Sequence, residues 1–282
     1  VRDPAPVRPT SRPDGPGVLP EGAPATARSG LAALAAALWP VSCAGCGAPD
    51  RALCRRCARP LRERAGSRAA LAGTTAPGAP AVWATAPYEG PVRAGLVAWK
   101  DRGRADLDRW LVPALAEAVQ AALAQGESLS PGGLGRGSRG SRGAPVLLVP
   151  VPSRRAAVRE RGRDAVGDLA RGAAGLLRSR GLAVLTVGAL GAGRGLRDQV
   201  GLDAASRAHN AARSLHAAGR AGDRVVDAPV LVVDDVVTTG ATVAEAARVL
   251  RGAGAQVLGG AAVAAAQRRR GDEEGDALVA AP

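Results

Sequence analysis

The chain has 282 residues, 46% apolar and 22% charged. At about 150 residues per domain this is one or two globular domains with room for a sizeable core. Aromatics are only 2%, confined to Trp39, Trp83, Tyr88, Trp99 and Trp110, which argues against a broad base-stacking platform and leaves Ala, Val and Leu to fill the interior. The net charge of +13 would draw phosphate-bearing partners, yet Lys100 is the only lysine among 38 basic residues, so arginine-rich coding explains much of the surplus and charge alone names no partner.

Residues 1–30 mix Pro, Gly and Arg without periodicity and read as a disordered extension. Residues 31–38 read as a short helix. Arg28 followed by Leu31–Trp39 has the outline of a short signal core, but Pro40 stands before Cys43 where a lipoprotein signal needs an aliphatic residue. No apolar run reaches the roughly 18 residues of a membrane span, so a cytoplasmic chain without membrane insertion is expected. Residues 31–62 then form a helix plus a four-cysteine module. An α/β domain is expected over 80–267, interrupted by a flexible Gly/Ser/Arg insert at 126–144 and followed by a tail at 268–282.

Within 80–267, apolar runs at 81–86, 145–151, 182–187, 229–233 and 256–263 predict strands. Helical patterns lie near 91–100, 105–124, 160–178, 203–213 and 242–251. Val230-Leu231-Val232-Val233 is apolar at every position, as in a strand buried on both faces of a parallel sheet. The alternation of strands and helices predicts an α/β fold, a parallel sheet flanked by helices.

Cys43, Cys46, Cys54 and Cys57 form two C-x-x-C pairs separated by seven residues. Four thiolates suit a closed tetrahedral Zn²⁺ site, and Gly45 and Gly47 permit a tight turn around the first pair. The interval is shorter than the roughly 15–20 residues of a common zinc ribbon, so the unit must be compact. Two disulfides would need an oxidising compartment, a redox C-x-x-C usually stands alone, and an iron–sulfur cluster takes the same four ligands. Structural zinc is the reading we favour. The adjoining segment 51–68 carries seven Arg and one Glu, either a nucleic-acid contact or a solvated basic face.

The most informative segment is Pro229-Val-Leu-Val-Val-Asp234-Asp235-Val-Val-Thr238-Thr239-Gly240-Ala241-Thr242. A buried strand ends in two carboxylates, a hydroxyl-bearing loop follows, and a helix begins. Thr242 and Glu245 are spaced as a capping box. Free N–H groups at a helix start attract phosphate, and Gly240 lets backbone approach closely. Adjacent carboxylates accept hydrogen bonds from a sugar diol or help hold hydrated Mg²⁺. The combination points to a ribose 5-phosphate compound. There is no G-x-x-x-x-G-K-[ST], and the G-x-G-x-x-G at Gly135–Gly140 lies in the low-complexity insert without its strand–turn–helix context.

These residues resemble the phosphoribosyl pyrophosphate (PRPP) motif of type I phosphoribosyltransferases. With the cysteine module, Tyr88-Glu-Gly-Pro-Val-Arg93, Trp99-Lys100-Asp-Arg-Gly103, Val149-Pro-Val-Pro-Ser153, Arg161-Gly162 and Gln199 through Arg207 to Asn210, the chain from about 40 to 265 resembles the ComF family, related to competence protein FC and GntX. The resemblance implies a zinc-bearing N-terminal appendage on a phosphoribosyltransferase fold. It implies Asp234 and Asp235 on the ribose diol as catalytic residues, and Thr238, Thr239, Gly240, Ala241 and Thr242 around the 5-phosphate. Ser153 and Arg154 would face pyrophosphate, accompanied by Mg²⁺. Family members are linked to DNA uptake, which makes single-stranded DNA or protein partners the alternative to catalysis. Relatives read R-G-F-N-Q where this chain has Arg161-Gly162-Arg163-Asp164-Ala165, and often Phe at Leu215; those departures fall on the base or nucleic-acid contact.

Arg154, Arg155, Arg159, Arg161 and Arg163 follow a predicted strand end, on the ligand side of such a sheet, and suit either pyrophosphate or solvent. His209 and His216 read as surface or cap residues. Lys100 reads as a solvated helix-end lysine or a phosphate contact.

Overall fold

The computed structural model describes residues 41–63, 80–129, 144–153, 155–193 and 215–266. The chain divides into Val1–Val41 and Ser42–Pro282, and the following concerns the second unit. The expected extension, the helix at 31–38, the helix at 203–213 and the tail at 268–282 lie outside the described residues.

In chain order the elements are α1 (Arg55–Glu63), β1 (Val82–Pro87), α2 (Gly90–Asp101), a 3-10 turn (Ala105–Leu107), α3 (Asp108–Leu129), β2 (Val146–Pro150), α4 (Arg155–Arg161), α5 (Ala165–Ser179), β3 (Val184–Thr186), β4 (Leu190–Ala192), β5 (Leu215–Ala217), α6 (Gly219–Asp223), β6 (Pro229–Val237), α7 (Ala241–Gly252) and β7 (Gln256–Ala265). Five strands form one parallel sheet in the order β1-β7-β6-β2-β3, the expected helix-flanked parallel architecture.

The central strand β6 is buried from Pro229 through Asp235. Strand alternation sorts its side chains between two cores. Leu231 and Val233 join Leu96 and Trp99 of α2, Leu115 of α3 and Leu169 of α5 on one face. Val230 and Val232 join Val243, Ala246 and Leu250 of α7 on the other. In the absence of Phe and Met, tight approach of backbones replaces bulky filling. A Cβ on Gly260 of β7 would stand 2.9 Å from Val243 Cγ1 and 3.2 Å from Val82 Cγ2. The missing side chain is therefore what lets the first turn of α7 lie against the sheet.

Four features depart from the sequence pattern. The helix expected at 160–178 is two helices, broken at Gly162, which takes φ +68 in the left-handed region. α3 continues to Leu129, into the stretch expected as flexible insert. α1 forms on the second cysteine pair despite its arginines and Pro60. β4 and β5 pair antiparallel as a separate two-stranded sheet, too short and alanine- and glycine-rich to announce themselves. Among the described residues, no helix is long and apolar enough to cross a membrane.

Replacing Gly260 with Val forces Val243 and Val82 apart. Urea unfolding is expected to show a loss of about 1–3 kcal/mol; wild-type stability would mean α7 is not seated by this contact.

Candidate functional site

The sheet topology creates a crevice before any side chain is considered. From β2 the chain leaves for β3 through α5, on the face of Leu231 and Val233. From β6 it leaves for β7 through α7, on the opposite face. Adjacent strands whose connections diverge to opposite faces open a gap beyond their carboxyl ends, where ligands of open α/β sheets sit. β2 pairs with β6 only as far as Pro150 opposite Val233, with one further bond from the Val151 N–H to the Val233 oxygen at 2.9 Å. β6 itself runs on, paired with β7 as far as Val237 opposite Ala265. Asp234 and Asp235 thus lie within the strand rather than at its last residue. They are the first residues of β6 beyond its ladder with β2.

The loop that follows presents Thr238 exposed and Thr239 half-buried, and the Thr239 hydroxyl oxygen accepts from the Ala241 N–H at 3.4 Å. Gly240 is the N-cap of α7, at φ 78, with no side-chain cap bond. This corrects the expected capping box. Thr242 lies inside the first turn. Glu245 is buried and takes Arg248 at 2.7 and 2.8 Å. A left-handed glycine cap outcompetes the Thr-x-x-Glu pattern because it turns the chain sharply between strand and helix. The result is a helix start whose N-cap residue has no side chain to cover the leading N–H groups, with only the Ala241 N–H taken by the Thr239 hydroxyl.

The two acids differ in environment. Both oxygens of Asp235 accept from Lys100 Nζ, at 2.7 and 2.8 Å. Side-chain exposure is 37% for Lys100 and 3% for Asp235. Lys100 is therefore not a freely solvated helix-end lysine, and its partner stands 135 positions away in sequence. Desolvation opposes its charge, but Asp235 and then Asp234 outweigh that and raise its proton affinity; Arg161 acts in the opposite sense. Asp234 has no such partner among the described residues. Its Oδ1 accepts the Asp235 N–H at 2.8 Å. Burial, then the neighbouring Asp235 charge, holds its carboxyl well above the ordinary carboxylate range, with Lys100 only partly offsetting them.

A rigid frame positions Lys100. Trp99, its neighbour on α2, is 1% exposed and donates Nε1–H to Asp108 Oδ1 at 2.6 Å. Arg163 lies over the Trp99 ring at 5.6 Å and pairs with Asp108 at 3.2 Å and Asp168 at 3.3 Å. Of the arginine cluster, Arg163 is thus committed to packing α2, α3 and α5 together. Arg159 is exposed. Arg161 donates Nε–H to the Ala157 oxygen at 3.1 Å, and its Nη1 is buried with no hydrogen-bond partner. Ser153, after β2, likewise has a buried hydroxyl without a partner. Arg154 and His209 lie outside the described residues, and His216 is exposed on β5, as expected of a surface residue.

The four cysteine sulfurs lie within 4.8 Å of one another, and Cys46 and Cys54 are 3.8 Å apart. A tetrahedral site with metal–sulfur bonds of about 2.3 Å has edges of about 3.8 Å, so the donor set fits a zinc ion. Gly45 is required for closeness, since a Cβ there would meet Cys57 Sγ at 2.8 Å and Pro91 Cβ at 2.9 Å. The same contact ties the module to the start of α2. Burial pushes the Cys43 thiol up, but backbone N–H groups of Cys54, Gly45 and Cys46 prevail and bring it down to about 6. Burial, followed by hydrogen bonding with Cys54, pushes Cys57 the other way. Thiols crowded this closely, with N–H groups aimed at sulfur, form a ligand set for a cation that takes thiolates.

Residues 200–280 match the phosphoribosyl transferase domain family. This matched stretch includes β6, the threonine loop, α7 and β7, and supports the type I phosphoribosyltransferase superfamily. No curated protein matches the chain.

Metal analysis of purified protein is expected to find about one zinc per chain, with chelation lowering the melting temperature; iron or no metal contradicts the site. Asp234 generates a second prediction. Its folded proton affinity is raised, so folded protein retains a proton that unfolded chain has released, and stability falls as pH rises above the ordinary carboxylate range. Asp234→Asn should be more stable than wild type at pH 7, with the gap closing as pH falls into the ordinary carboxylate range, as read by urea unfolding across pH. A variant less stable than wild type at pH 7 contradicts this electrostatic account.

Proposed function

We propose that the chain binds PRPP, or a ribose 5-phosphate compound, in the crevice between β2 and β6, and transfers phosphoribose to an acceptor. The observation that carries this reading is the placement of the buried Asp234–Asp235 pair and the glycine-capped start of α7 together at the topological switch point. In this reading the pair receives the ribose hydroxyls. Thr238, Thr239, Gly240, Ala241 and Thr242 surround the 5-phosphate with backbone N–H and hydroxyl donors. Ser153 and Arg154 face the pyrophosphate, and the unpartnered Ser153 hydroxyl is a donor in want of an acceptor.

As the bond from the anomeric carbon to pyrophosphate breaks, positive charge grows on the sugar ring. The nearby carboxylates lower the cost of that charge without forming a covalent intermediate. The hard oxygens of Asp234 and Asp235 would be the donors here that suit Mg²⁺, and the ion would supply neutralisation of pyrophosphate charge. The cysteine module takes no part in transfer, since a four-thiolate site leaves no open position. A cytoplasmic, ComF-like phosphoribosyltransferase is the finer form of the proposal.

One observation favours a second reading, a non-catalytic protein of competence or DNA uptake. Arg55, Arg56, Arg59 and Arg62 line a concavity of about 700 Å³ on α1, beside the cysteines, which suits the backbone of single-stranded DNA.

Isothermal titration with PRPP and Mg²⁺ separates the two. Wild type is expected to bind, and Asp234→Asn with Asp235→Asn to lose about tenfold or more in affinity. Absence of binding by wild type, together with salt-dependent single-strand binding that survives both substitutions, would establish the second reading instead.

A further inference from the structure

We infer that Lys100 is a positioning residue of the acidic pair: its ammonium clamps both oxygens of Asp235 and aims the carboxylate at a vicinal diol, which makes it a determinant of selectivity for intact ribose. The inference rests on the proposed ribose 5-phosphate site and goes beyond it, to a residue 135 positions away that lies outside the PRPP-like segment.

Hydrogen-bond arithmetic supports the assignment. An ionised carboxylate offers about four lone-pair sites. Lys100 occupies one on each oxygen, at 2.7 and 2.8 Å. Each oxygen keeps another, and two oxygens with one open site each match two adjacent hydroxyls. An ammonium has three hydrogens; two are used on Asp235, and with the side chain 37% exposed the third faces accessible space. The clamp is also held in place from behind. The adjacent Trp99 is locked by Asp108 and by Arg163 across its ring, so the end of α2 cannot drift without disturbing α3 and α5. The Arg161 charge disfavours the ammonium, which reinforces its dependence on Asp235.

The choice of residue is informative in itself. A chain that places arginine at every other basic position retains lysine here. A guanidinium would use the same number of lone pairs, but it is longer and pairs through a rigid planar fork, so it would displace or rotate the carboxylate that the compact ammonium holds in place. A purely structural ion pair between α2 and β6 would be served as well by arginine.

The test compares ribose 5-phosphate with 2-deoxyribose 5-phosphate by isothermal titration, on wild type, Lys100→Met and Lys100→Arg. Wild type is expected to prefer the ribose compound by about tenfold or more, the worth of a hydrogen bond to a charged acceptor. In Lys100→Met the ratio should fall to within about threefold, while binding of inorganic phosphate, which needs only the start of α7, stays at the wild-type level. A structural role alone would weaken all three ligands together and leave the ratio unchanged, which overturns the inference. Should Lys100→Met not fold, Lys100→Arg decides: it keeps the charge, is expected to lose most of the discrimination, and overturns the inference if the wild-type ratio persists. Wild type that binds neither sugar phosphate overturns the underlying ribose site as well, an outcome distinct from binding with a ratio that Lys100 does not influence.

Discussion

Two adjacent carboxylates on a buried strand are electrostatically intolerable without a counter-charge, and the way this protein meets that constraint organises the crevice. Desolvation penalises each charge and their mutual repulsion penalises both. Lys100 resolves the problem for Asp235 only. Asp234 is left with a raised proton affinity and no cation of its own among the described residues. A fold optimised for stability alone would carry apolar residues at these positions, as it does at the preceding positions of β6. Polar groups retained against such a cost are characteristic of sites that do chemistry or binding.

The rest of the architecture serves that arrangement. Divergent connections from β2 and β6 open the crevice, and the early end of β2 leaves the β6 edge from Asp234 onward without a β2 partner. Gly260 admits α7 close to the sheet, and Gly240 turns the chain sharply from β6 into the helix. The Trp99–Asp108–Arg163 frame delivers Lys100 from the other face. With so few aromatics, rigidity comes from glycine-mediated approach of backbones and from a small number of anchored ion pairs, and the cysteine module adds a further anchor where Gly45 meets Pro91.

The parallel sheet and the β6–loop–α7 unit were legible in the sequence because continuous apolar runs and well-placed glycines are local signals. The cysteine cluster was legible for the same reason, since its spacing is its geometry. Lys100 was not, because an ion pair spanning the whole domain leaves no periodic trace; its solitary place among the arginines was the available clue. The cap of α7 was misplaced because Thr242 and Glu245 satisfy a local pattern that the glycine-driven turn overrides. The break at Gly162 was missed because Arg161-Gly162-Arg163 reads as a tolerated helix interior until tertiary packing of Arg163 on Trp99 and Asp108 decides otherwise.

The central claim is that a phosphorylated pentose is held where β6 gives way to the threonine loop. Backbone amide chemical shifts during titration with ribose 5-phosphate address it most directly. The account predicts that the largest shifts fall on Thr239 through Val243 and on Asp234 and Asp235. Shifts concentrated instead on α1, with the threonine loop silent, would contradict it.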